Sequence, residues 1–289
     1  MQKASRVQLL RLTAKYLGRR FEDNSSGDGA GSGIDERPMN NWATLDCVTY
    51  IEAVLAPYFA ADRGLGNALE EIRYKRQPPT FLHRNHSVRH DWIPNAVSRG
   101  LISDVTTARF GAGKAVRRIW RRTPATWYER KVGPKHVHCA SNADRLLSDL
   151  KRKSRKLRRQ RSTYKVIPLN LLLPPKNPQA KSPRDSGWSR LNDLPSGTLL
   201  VFFGKGAHLA WLINEAGELK IRHGSRARWS VREDPLADFL RLHAALGYLR
   251  AMAAFEVADC RGNSPKRKSN AKKTVKKAAK KTIKKSKKK

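Results

Sequence analysis

The stretch Leu45-Asp46-Cys47-Val48-Thr49-Tyr50-Ile51-Glu52 sets a cysteine directly after an acidic residue, at the mouth of an apolar run that continues to Phe59. The pattern predicts a helix over 46–59. Asp46 is its N-cap, because a carboxylate there accepts from the unpaired N–H groups of the first turn. A thiol in that turn meets the positive end of the helix dipole, which favours the nucleophilic thiolate. A lone cysteine is more often buried filler, so a catalytic one needs a base elsewhere in the chain. Eight histidines are available.

Outward from this helix, residues 5–18 read as a helix ending at Gly18, and Asn24 to Gly33 as a flexible, Gly/Ser-rich surface loop. Residues 65–73 predict another helix, and 91–100 one broken or started at Pro94. From 115 to 165 the chain is very basic, with eight Lys or Arg between Lys151 and Arg161. Ala140 to Leu150 has a helical apolar pattern that the basic run extends, and the Pro-rich residues 168–183 form an irregular connection. Leu199-Leu-Val-Phe-Phe203 then reads as a buried strand, His208–Ile213 as a second, 215–218 as a hairpin turn and Leu219–His223 as a third. A helix over 235–250 and a strand over 253–257 close the body. Helices followed by an antiparallel sheet, without βαβ alternation, give an α+β class.

His208 opens the second strand of this meander and His223 ends the third. Such positions are neighbours in an antiparallel pair, so that one histidine can orient the other. Arg84, Asn85, His86, Asp91 and Trp92 read as a substrate platform, since Arg pairs with carboxylates and Trp offers a stacking face to a sugar ring. The alternative is a structural loop in which Arg84 pairs with Asp91. His83, His86 and His90, and likewise His136-Val-His138-Cys139, have spacings that could suit a metal. The first lacks the nearby acidic or cysteine ligands of a closed zinc site and the second reads as an exposed loop, so no metal or cofactor is expected.

Of 289 residues, 39% are hydrophobic, enough for a packed core. The net charge is +36; residues 261–289 supply 15 Lys or Arg and no acid, so residues 1–260 keep +21. Three cysteines, at 47, 139 and 260, exclude a disulfide framework and fit a free thiol. No run reaches the roughly 18 apolar residues of a membrane span. The opening Met1-Gln-Lys-Ala-Ser-Arg-Val-Gln-Leu-Leu lacks the apolar core and cleavage site of an export signal.

A helix-start cysteine followed by a strand-borne histidine and a second polar residue on the next strand resembles the NlpC/P60 cysteine peptidase superfamily. More closely, the chain is similar to the N-acetylmuramoyl-L-alanine amidase-like branch. The matching pieces are Tyr16-Leu-Gly18, Asp46-Cys-Val-Thr-Tyr-Ile-Glu52, Ile72-Arg-Tyr74, Arg84-Asn-His86, Asp91-Trp-Ile-Pro-Asn95, Pro195-Ser-Gly197, Ala207-His-Leu209 and Arg222-His-Gly-Ser225. The resemblance implies a papain-like α+β fold over residues 1–260, with a Cys47–His208–His223 triad. It implies cleavage of the amide between N-acetylmuramic acid and L-alanine in peptidoglycan fragments or muropeptides, in a bacterial envelope setting. On that basis Cys47 is the nucleophile, His208 its base and His223 the orienting group.

Residues 261–289 resemble the lysine-rich tails of histone-type linker proteins. Their repulsion and low apolar content predict disorder and salt-dependent binding of a polyanion, either nucleic acid or an anionic wall polymer. Two other functions stay open at this point: a nucleic-acid-binding protein on an inactive peptidase-like fold, and a muropeptide endopeptidase on the same fold. Rapid alkylation of Cys47 at neutral pH, sparing Cys139 and Cys260, is the expected mark of an enzyme.

Overall fold

A computed structural model describes residues 3–61, 63–133, 136–138, 143–175 and 186–260. Residues 261–289, and with them the predicted tail, lie outside the described residues, as does Cys139. In chain order the elements are α1 (Lys3–Ala14), β1 (Arg20–Phe21), β2 (Thr44–Leu45), α2 (Cys47–Phe59), α3 (Leu65–Arg73), a π-helical turn (Val88–Trp92) leading into α4 (Ile93–Ser98), and β3 (Ile102–Asp104). Then follow α5 (Thr106–Phe110), β4 (Val116–Arg122), α6 (Pro124–Lys131), α7 (Ala143–Ser154), β5 (Gln160–Pro168), α8 (Gly187–Asn192), β6 (Leu199–Gly204), β7 (Ala207–Glu215), β8 (Glu218–Ser225), β9 (Ser230–Pro235), α9 (Leu236–Leu246) and β10 (Leu249–Val257).

The strands form one ten-stranded sheet in the order β2-β1-β9-β8-β7-β6-β10-β5-β4, with β3 beside the end of β10. Every pairing is antiparallel except β1 with β2. Helices interspersed among mainly antiparallel strands make this an α+β protein, and β6, β7 and β8 are the expected meander. It is the centre of a much wider sheet, however. The run Leu199–Phe203 is apolar throughout because both of its faces are covered. Leu199, Val201, Phe203, Leu209 and Trp211 pack with the residues of α2. Leu200, Phe202, Ala210 and Leu212 pack with Leu236, Phe239 and Leu240 of α9. At roughly 1.5–3 kcal/mol for each large apolar side chain removed from water, these two layers dominate the fold.

Two local expectations are corrected. Asn24 to Gly33 is no free surface loop, since Ser25, Ser26 and Asp28 are buried. Asp28 accepts from the Tyr74 hydroxyl at 2.6 Å, and the Gly27 carbonyl accepts from Arg73 at 3.1 Å. The basic run after Leu150 extends α7 only to Ser154; from Gln160 the chain is β5, paired along seven residues with β4. β5 alternates exposed residues with the buried Ser162, Tyr164 and Val166, and its pairing with β4 outweighs the helical charge pattern. A third, smaller cluster of Ile34, Phe81, Tyr128, Val132, Leu147 and Leu150 packs α6 and α7 together with the segments at Ile34 and Phe81. No helix among the described residues is long and apolar enough to cross a membrane.

Candidate active site

Asp46 caps α2. Its Oδ1 accepts from the N–H groups of Val48 (2.9 Å) and Thr49 (2.7 Å), while the Thr49 hydroxyl accepts from the Asp46 N–H at 2.7 Å. This closed box ties down the turn that carries Cys47. The same turn rests on β8 at Gly224, where a Cβ would stand 2.9 Å from the Asp46 carbonyl carbon and 3.0 Å from the Cys47 nitrogen. Only a glycine lets strand and helix start approach so closely. On β7, the backbone of Leu209 comes close enough to the Cys47 sulfur to favour its charged form. The residues that immediately follow His208 and His223 therefore both touch Cys47.

The two histidines are joined to each other and to an acid. His208 Nε2 lies 2.8 Å from His223 Nδ1, and His223 Nε2 lies 2.9 Å from Asp234 Oδ2. Arg232 donates to the other oxygen of Asp234 at 2.6 Å. The His208 ring stacks on Phe239 of α9, with centroids 5.6 Å apart, and His223 meets the same ring edge-on. No hydrogen bond joins Cys47 Sγ to His208 among the described residues. Asp234 was not singled out in the sequence. Its only signal there is an acid in a predicted loop ahead of the last helix, and the role comes from β9 pairing with β8, which brings Asp234 opposite Ile221.

Burial pushes the Cys47 thiol up to about 12, and the neighbouring Asp46 carboxylate adds to the rise. This corrects the expectation of a thiolate. The residue keeps some exposed surface, but the crowding round its sulfur and the capping carboxylate both favour the neutral thiol. Burial also holds His208 well below 6.5, with His223 and His243 adding to the effect. His223 is lowered by burial, partly offset by Asp234. The resting site is a neutral thiol beside a neutral imidazole chain.

A polar cleft of about 420 Å³ opens beside the first turn of α2, bordered there by Asp46, Val48 and Thr49 and on its far side by Arg84, Asn85, His86 and Trp127. Arg84 does not pair with Asp91. It reaches Asp28 at 3.5 Å and donates to the Ser26 carbonyl at 2.9 Å. Asn85 donates to the Ile72 carbonyl, and His86 packs against Trp127 with centroids 5.0 Å apart. Burial, followed by Arg84, lowers His86 to about 3, so it is neutral.

Asp91 and Trp92 do not belong to this cleft. Trp92 has no exposed surface, and Asp91 is taken by Lys75 (2.8 Å) and Arg122 (2.7 Å). A ring with no free face cannot stack on a sugar; the tryptophan that borders the cleft is the partly exposed Trp127. Among the described residues no cluster of three or more His, Cys, Asp or Glu could hold a metal. His83, His86 and His90 instead bond separately to the Pro78 carbonyl, the Phe81 carbonyl and the Ser162 hydroxyl.

Residues 11–173 match the family described as AmiA-like, N-acetylmuramoyl-L-alanine amidase-like. The chain belongs to this family. Among solved structures it is similar to a Legionella pneumophila protein of the DUF1460 family, at 21% identity and a TM-score of 0.77, over 88% of this chain and 89% of that one. It is also similar to an N-acetylmuramoyl-L-alanine amidase from Bacteroides uniformis, at 18% identity and a TM-score of 0.60, over 88% of this chain and 99% of the other. At these identities the likeness is one of fold. None of the curated proteins compared with the chain matches it.

Proposed function

We propose that the protein is a cysteine-dependent amide hydrolase that cleaves the bond between N-acetylmuramic acid and L-alanine in peptidoglycan fragments, on an NlpC/P60-type fold. The observation that carries this reading is the hydrogen-bonded chain His208–His223–Asp234, whose two strands also touch Cys47 through Leu209 and Gly224.

The chain has one consistent proton arrangement. A carboxylate only accepts, so His223 Nε2 carries a hydrogen toward Asp234, and His223 Nδ1 is left as an acceptor. His208 Nε2 must then donate to it. The lone pair of His208 stands on Nδ1, free to take a proton from Cys47. The transfer requires sulfur and Nδ1 to close to hydrogen-bond distance, a contact that such pairs complete in the reacting complex. As the proton leaves, the sulfur attacks the lactyl carbonyl carbon and the C=O electron pair moves onto oxygen. Collapse of this oxyanion breaks the C–N bond, the L-alanine nitrogen takes the proton from His208, and a thioester remains. Water, deprotonated by His208, releases the lactyl carboxylate and restores the thiol. Asp234 stabilises the imidazolium chain that forms at each step. Trp127 on the cleft border suits a substrate that carries a sugar ring.

Incubation with defined muropeptides, followed by mass spectrometry, tests this directly. The expected products are the intact peptide with a free L-alanine amine and the peptide-free sugar. Cys47→Ala should retain the fold and yield neither. Turnover by that variant would remove Cys47 from the chemistry, and products cut within the peptide would instead make the protein an endopeptidase.

A further inference from the structure

The β4–β5 ribbon sets cation opposite cation. In its register Arg117 faces Lys165 and Arg121 faces Arg161, with Ile119 and Thr163 between the two pairs. Side chains directly opposite in an antiparallel pair stand about 4.5–5.5 Å apart at Cβ, where like charges destabilise. Nothing among the described residues relieves them. All six residues are exposed, and among the described residues none of the four cationic side chains has a hydrogen-bond or ion-pair partner. The sequence has no Asp or Glu from Val105 to Tyr128 or from Leu150 to Arg184.

The opposite face of the ribbon is anchored. Trp120 and Tyr164 stack on Phe203, with centroids 5.0 and 5.3 Å away. Arg122 and Gln160 hold Asp91 at 2.7 and 2.9 Å, and Ser162 bonds His90. Only Ile167 and Pro168 of β5 pair with β10, so residues 116–122 and 160–166 extend beyond the main sheet as two strands alone. One side is thus locked to the body while the other holds four cations outward. The exposed Lys156, Arg158 and Arg159 lead into the same end of the ribbon.

We propose that this face docks on duplex DNA, gripping the phosphate backbones across a groove without reading base sequence. The two cation pairs are four residues apart, or about 13 Å along a strand, close to the roughly 12 Å width of the major groove, which admits a two-stranded ribbon. Arginine and lysine neutralise phosphates and release counterions, which gives sequence-independent affinity. A membrane surface would call for large apolar side chains between the cations; on this face Ile119 is the one apolar residue. The surface is separate from the cleft at Cys47, so the proposal stands independently of the hydrolase reading.

The test uses the full chain and a labelled 20-base-pair duplex, with affinity followed by fluorescence anisotropy as salt is raised. Replacing four phosphate contacts in the variant Arg117→Ala/Arg121→Ala/Arg161→Ala/Lys165→Ala should lower the slope of log K against log salt by about 3–4. It should weaken binding at least tenfold at 100 mM salt. In the unmutated protein, duplex should protect Lys165 from acetylation while Lys15, the residue after α1, stays reactive. That protection should survive when Lys272, Lys273, Lys276 and Lys277 are changed to Ala. The footprint needs no folded variant. An unchanged slope, an unprotected Lys165, or binding to phosphatidylglycerol vesicles in place of the duplex would each overturn the proposal.

Discussion

Cys47 is a thiol held neutral by burial and by the carboxylate that caps its own helix. Its reactivity therefore has to be generated by proton transfer as substrate binds. Alkylation by iodoacetamide should accordingly be slow at pH 7 and speed up steeply as pH rises past 9, followed as mass-shifted Cys47 peptide. Fast labelling at neutral pH would show that the dipole wins after all. Asp234 acts one residue further back, by setting which nitrogen of His208 is bare. Asp234→Asn replaces an obligate acceptor by a group that can donate its amide hydrogen to His223, and so favours the wrong tautomer along the chain. The expected loss is about 100-fold to 10,000-fold in kcat with little change in KM, accompanied by a shift of the histidine tautomers in ¹⁵N NMR spectra. A variant with normal kcat would reduce Asp234 to a structural ion pair.

The start of α2 and strand β8 form a joint that works only at close range. The Cβ of Gly224→Ala would press on backbone atoms of Asp46 and Cys47, which cannot rotate away. The helix start has to move, at a cost of about 1–3 kcal/mol. Urea unfolding should report that loss, and kcat/KM should fall at least tenfold because the sulfur moves with the helix. Wild-type activity in this variant would mean that the joint tolerates slack. The capping box is the other half of the same element: it fixes the turn internally, while Gly224 fixes it against the sheet.

Across the whole molecule, several histidines sit in places that reject charge. Burial lowers His86 to about 3 and His208 well below 6.5, and His90, His223 and His243 shift in the same direction. In the unfolded chain each titrates near 6.5. Below that pH the unfolded state binds protons that the folded state refuses, so the stability these groups contribute above pH 6.5 is lost as pH falls. Tm should drop by at least about 5 °C between pH 7 and pH 5 in differential scanning fluorimetry. A flat profile over that window would mean that these rings open to water and protonate within the fold.

Much of this was written locally. The helix at Cys47, its Asp46 cap, the β6–β7–β8 meander and the two histidines were all legible in the sequence, because helix starts and alternating strands leave their marks within a few residues. The ribbon of β4 and β5 was not, since its strands are separated by two helices and their charges hid the alternation. Nor was the burial of Ser25 to Asp28, which depends on Arg73, Tyr74 and Arg84 folding back over them. The sequence by itself determined which residues could supply a nucleophile and a base. Only the tertiary structure decided that Asp234 completes the histidine chain, that Trp127 and not Trp92 faces the cleft, and that the thiol rests neutral. Hydrogen-bond geometry, exposure and desolvation are set by atoms distant in the chain, and no local pattern records them.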